Sequence, residues 1–208
     1  MLPITTILTF FGVSLVLAVT PGPDNIFVLT QSALRGRLAG ILVTLGLCSG
    51  LIVHTLAVTL GIAAIFQASA LAFTGLKLIG AGYLLYLAWQ SFRAAATGIR
   101  IGQQVPLGGW QLYRRGIIMN ITNPKVSIFF LAFLPQFAAP AQGSLTMQIL
   151  LLGALFMLAT LLVFGAIALL AGSLGRRLAD SGRAVRAMNR IAGTVFAALA
   201  FKLAVTQR

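Results

Sequence analysis

Six apolar stretches, each near or above the length needed to cross a bilayer, follow one another along the 208 residues, and few folds accommodate that pattern. They fall at about 4–33, 39–66, 70–92, 115–137, 146–173 and 189–206. A spanning helix takes about 20 apolar residues, because it rises about 1.5 Å per residue through a hydrocarbon layer ~30 Å thick. Hydrophobic residues make up 59% of the chain and charged residues 8%. A soluble domain of this size would have to leave much of that excess on its surface. The chain therefore reads as an all-α integral membrane protein. The first stretch has no Lys or Arg before it and no A-x-A site after it, so it reads as an uncleaved span rather than a signal peptide. The single Cys48 excludes a disulfide framework or a paired-cysteine relay within one chain.

Fifteen Lys and Arg face only two acids, Asp24 and Asp180, for a net charge of +13. In a soluble chain that imbalance would point to nucleic acid. Here the bases lie mostly between the apolar stretches, where they set topology and meet anionic lipid headgroups, so no nucleic-acid partner is expected. Arg35 and Arg37 follow the first stretch, Arg93, Arg100, Arg114 and Arg115 join the third to the fourth, and Arg176, Arg177, Arg183 and Arg186 join the fifth to the sixth. The joins at 67–69 and 138–145 carry no base. The positive-inside rule places the three basic connections in the cytoplasm and both termini outside. Lys202 and Arg208 weigh against the placement of the C-terminus without reversing it.

Dividing the chain near residue 105 gives three spans per half, and an odd number forces the halves into opposite orientations. The expected architecture is a single transmembrane domain over 1–208, built of inverted repeats at about 1–92 and 115–208 with a cytoplasmic linker at about 93–114. The first span is interrupted by Pro21-Gly22-Pro23 and the fourth by Asn123-Pro124. Interrupted segments at corresponding places in two inverted halves point to a transporter binding site. Asp24 stands eleven residues before Arg35, and Lys125 ten residues after Arg115. At about 1.5 Å per residue both lie near the middle of the hydrocarbon layer.

Asp24 has two readings. A carboxylate inside hydrocarbon is costly, which makes it a functional candidate by default. The alternative is a simple kink at Pro21, Gly22 and Pro23, with Asp24 capping the next turn. Asn123 is expected as an N-cap with Pro124 at the first helical position, which sets Lys125 at the positive end of a helix. Free amides and an ammonium would then converge on an anion, or Lys125 would form a structural ion pair with Asp24. Asn25 and Asn120 are further candidates for the cavity. His54, alone on the second span, is a packing residue or a proton relay. Lys77 is expected to snorkel, Tyr83, Tyr86, Trp89 and Trp110 to form an interfacial belt, and Gly36-x-x-x-Gly40, Gly46-x-x-x-Gly50 and Gly193-x-x-x-Ala197 to permit close helix contact.

Thr20-Pro-Gly-Pro-Asp-Asn25, Asn120-Ile-Thr-Asn-Pro-Lys125 and Leu76-Lys-Leu-Ile-Gly-Ala-Gly-Tyr-Leu-Leu-Tyr-Leu-Ala-Trp89, in that arrangement, resemble the LysE/RhtB family of small amino-acid exporters. The resemblance covers nearly the whole chain. It implies efflux of amino acids or close relatives across a bacterial cytoplasmic (inner) membrane, driven by the proton gradient. On this reading Lys125 holds the cargo carboxylate, and Asp24 holds its α-ammonium or exchanges a proton. The expected partners are an amino-acid substrate, protons and membrane lipids; a homo-oligomer is left open. No cofactor or metal is expected. A channel or conduit for ions or small solutes is the alternative, needing the same cavity without proton coupling. A membrane enzyme would need a His/Asp/Glu metal cluster or paired carboxylates, which the sequence lacks.

Overall fold

A computed structural model of the chain describes residues 2–68, 70–94, 107–171 and 181–205. Arg100, Arg176, Arg177, Asp180 and Arg208 lie outside these residues, and so does the side chain of Lys77. The described residues are almost wholly helical and contain no strand. Backbone donors and acceptors have no water to turn to inside hydrocarbon, and a helix satisfies them within one segment.

Helices α1 (Ile4–Val19) and α2 (Pro23–Arg35) form a pair bent by 62° at the Pro-Gly-Pro break. Helix α3 (Arg37–Ala68) follows directly, turned from α2 at Gly36, whose φ of 82° suits a residue without Cβ. Helix α4 (Ala70–Arg93) coincides with the third expected span. Helices α5 (Gly109–Ile121) and α6 (Pro124–Ile128) open the fourth, and the bend between α5 and the segment Pro124–Phe137 is 50°. Helices α7 (Leu145–Leu170) and α8 (Gly182–Val205) complete the fold. By length and composition, residues 37–61, 145–170 and 185–205 each suffice to cross a membrane, and the two bent pairs qualify when each is taken as one span. The described part of α4 is not among these three to five candidates.

The fourth span departs from a simple interrupted α-helix. After α6 the backbone widens into a π-helix at Phe129–Phe133 and tightens into a 3₁₀ turn at Leu134–Phe137. Pro135 supplies no N–H to the preceding turns, which gives a local reason for the change of pitch. The segment is buried by aromatic packing. The Phe129 ring lies 5.0 Å from Phe133 and 5.3 Å from Phe156, and Phe10 from α1 sits 5.1 Å from Phe137. These edge and tilted contacts fill the core in which the bent segments meet.

Small residues let the helices approach closely. A Cβ on Gly46 of α3 would run into the carbonyl of Tyr113, and one on Gly116 of α5 into the carbonyl of Val43. A Cβ on Gly50 would meet the side chain of Asn120 at 2.7 Å, and one on Gly193 would meet the Phe92 ring at 2.8 Å. The Gly46-x-x-x-Gly50 pair is thus the groove in which α5 lies, and Gly50 makes room for a polar side chain at the break. Buried hydroxyls on these helices are satisfied locally: Ser14, Ser32, Thr44 and Thr55 each donate to the carbonyl four residues back.

Candidate functional site

The end of α1 explains the site. In an unbroken helix the carbonyls of Leu17, Ala18 and Thr20 would accept from the N–H groups of residues 21, 22 and 24. Residue 21 is proline and has no N–H, and the chain turns away at Gly22. Val16 keeps its carbonyl occupied by the N–H and hydroxyl of Thr20, at 3.0 and 2.7 Å. The orphaned carbonyls are taken by side chains instead. Asn25 Nδ2 donates to Ala18 O at 2.8 Å, and Lys125 Nζ donates to both Leu17 O and Thr20 O at 3.2 Å. A lysine from the fourth span therefore does for α1 what Pro21 withholds.

The second break is built around Asn123. Its Oδ1 accepts from Lys125 N at 3.0 Å, capping α6, and Pro124 occupies the first helical position where no donor is required. Its Nδ2 reaches across to Asp24 Oδ2 at 2.7 Å. The two breaks therefore face each other, tied by Asn123 to Asp24 and by Lys125 to the end of α1.

Asp24 is 4% exposed, Asn25 8%, Asn120 3% and Asn123 5%, so this polar cluster lies inside the protein. Asp24 does not cap its own helix, as the simple-kink reading requires: the N-cap of α2 is Gly22, with no side-chain hydrogen bond. Nor does Asp24 pair directly with Lys125, because Asn123 takes the carboxylate and backbone carbonyls take the ammonium. Lys125 also turns away from the amides of its own helix towards the negative end of α1, where a cation is favoured. Three buried acceptors have no partner: Asp24 Oδ1, Asn25 Oδ1 and Asn120 Oδ1. Buried polar atoms are normally satisfied, so these acceptors can take donors from water or from a ligand.

His54 belongs to the edge of this site. Its Nε2 lies 3.2 Å from Asn120 O, and its ring lies 5.6 Å from that of Phe130. Asn123 N in turn donates to Asn120 O at 3.1 Å, so one carbonyl links His54 to the break. Tyr83, Tyr86 and Trp89 form a ladder along α4 with centroids 5.9 and 6.1 Å apart, ended by Arg93 over Trp89. Trp110 stacks on Tyr113 at 5.5 Å. A separate cavity of about 390 Å³ opens beside the start of α1, lined by Thr5, Thr9, Gln136 and Lys202 among others.

Sequence reasoning did not single out Leu17 and Ala18, which, with Thr20 of the quoted motif, act through their carbonyls. The signal was present: a proline four residues after Leu17 leaves that carbonyl without its helical donor.

Bent spans that meet at buried polar breaks, in a strongly apolar chain whose described residues are almost wholly helical, are the setting of a membrane transporter's binding site. A family model described as LysE type translocator matches residues 15–207, and the chain belongs to that family. It is 34% identical over 184 residues to the homoserine/homoserine lactone efflux protein of Salmonella typhimurium, covering 88% of each chain. An uncharacterized membrane protein of Vibrio cholerae is 30% identical over 200 residues, covering 96% of this chain and 97% of its own. The leucine efflux protein of Salmonella choleraesuis is 30% identical over 141 residues, covering 65% of this chain and 66% of its own. No solved structure gives a significant match.

Proposed function

We propose that the chain is a secondary active exporter of amino acids across the bacterial cytoplasmic membrane, coupled to protons and working by alternating access. The observation that carries this reading is the meeting of Asp24 and Lys125 at two facing breaks, each held by a neutral partner rather than by the other. A zwitterion needs an acid and a base at one depth, neither bonded to the other. Two efflux proteins similar to the chain are named for homoserine and leucine, so the cargo is an amino acid with an uncharged side chain or a close derivative.

In the working cycle the cargo carboxylate draws Lys125 from the carbonyls of Leu17 and Thr20. The α-ammonium, or a proton, takes the open oxygen of Asp24. Asn25, Asn120 and Asn123 line the site and keep the two bends aligned while it is occupied. Because Lys125 and Asn123 tie the fourth span to the first, loading the site loosens one set of cross-links and forms another, which is the link between binding and movement. Six spans in two inverted repeats, with basic loops inside and termini outside, supply the two halves that rock around it.

Counterflow in proteoliposomes tests the transport class. Vesicles preloaded with unlabelled homoserine or leucine are expected to concentrate the labelled amino acid transiently, because a carrier exchanges one molecule for another. Entry without overshoot or saturation would indicate a channel.

A further inference from the structure

The carbonyl end of α1 holds a cation in the present structure, and that cation is a side chain from a distant part of the chain. We infer that this end of α1 is a binding site for a primary ammonium group in its own right, with Lys125 as its tethered occupant. Four observations converge. The carbonyls of Leu17 and Thr20 lose their helical donors to Pro21 and the break, so they must accept from elsewhere. They sit at the negative end of a helix dipole. Both lie 3.2 Å from Nζ, the spacing of N–H···O hydrogen bonds. Near them Asn25 Oδ1 is a buried acceptor without a partner, and so is Oδ1 of Asp24, its neighbour in the chain.

Gly22 borders this cradle. Its φ of −162° and ψ of 177° are extended values that any residue adopts. A Cβ there would stand at contact distance from the cradle's atoms, 3.4 Å from Lys125 Nζ and 3.7 Å from Asn25 Oδ1. The acceptors outnumber what one lysine satisfies, and a primary ammonium brings three N–H donors where a quaternary one brings none. The inference stands on this geometry alone. Joined to the proposed function, it makes the cradle the seat of the cargo ammonium once Lys125 has moved to the carboxylate.

The test uses the full-length Lys125→Ala protein purified in detergent, titrated at constant ionic strength with methylammonium, Na⁺ or tetramethylammonium chloride. Methylammonium is expected to raise its Tm saturably by about 3 °C or more, while wild type, whose cradle is filled, does not respond. No saturable rise, or an equal rise with Na⁺ or tetramethylammonium, would overturn the inference. If Lys125→Ala does not accumulate, membrane levels of Lys125→Arg and Lys125→Met decide. Arg accumulating where Met does not supports a cation requirement, and failure of both contradicts it; where both accumulate, Lys125→Met replaces the alanine variant in the titration. Loss of counterflow with the methylammonium response intact would remove the exporter reading and leave the cradle standing.

Discussion

Asn123 is the residue on which both breaks depend. One amide side chain caps α6 through its oxygen and meets Asp24 through its nitrogen. Replacing it with alanine removes a helix cap, worth about 0.5–2 kcal/mol, and strips a buried carboxylate of its donor, worth about 1–3 kcal/mol. Asn123→Ala should therefore unfold at a clearly lower temperature than wild type in detergent, and an unchanged Tm would show that the cross-link is dispensable. Asp24, Asn123 and Lys125 were legible in the sequence because charge and proline chemistry are rare within apolar stretches. The carbonyls of Leu17 and Thr20 were less so, because a backbone carbonyl has no side-chain signature. The role of Leu17 follows from the donor that Pro21 withholds, and that of Thr20 from the turn of the chain at Gly22. The orientation of Lys125 was equally hidden. Its place at the start of α6 predicted convergence with its own amides, whereas the nearby negative end of α1 attracts it more strongly.

Among the elements, α3 and α5 pack through glycine on both sides. Gly46 and Gly116 each face the backbone of the other helix. A valine at either position forces the axes apart and shifts Asn120 off its seat at Gly50; overpacking of this kind costs about 1–3 kcal/mol. Gly46→Val and Gly116→Val should accumulate poorly or unfold early, whereas Gly12→Ala, with nothing within 4 Å of the added Cβ, should match wild type. Thermal unfolding of the three variants checks this, and equal behaviour would contradict it. Helix positions could be read from apolar length, and the two bends from Pro21 and Pro124. The π-helix at Phe129–Phe133 could not. A run of phenylalanines is as apolar in one helical pitch as in another, and its pitch is set by Pro135 and by ring packing against Phe156.

For the whole molecule, the bent spans bring a carboxylate and an ammonium from far apart in the chain into one buried cluster, with each held by a neutral partner. The cluster satisfies most of its polar groups and leaves three acceptor oxygens open. That combination suits a site whose occupant changes. On the proposed function, Asp24, the one acid within the apolar stretches, couples movement of the cargo to movement of a proton. The most direct measurement is uptake of labelled homoserine or leucine by everted membrane vesicles with an acidic interior, comparing wild type with Asp24→Asn at matched membrane levels. Wild type should accumulate the amino acid above its external concentration and lose it when a protonophore collapses the gradient, and Asp24→Asn should fail to accumulate it. Accumulation by Asp24→Asn equal to that of wild type would contradict the account.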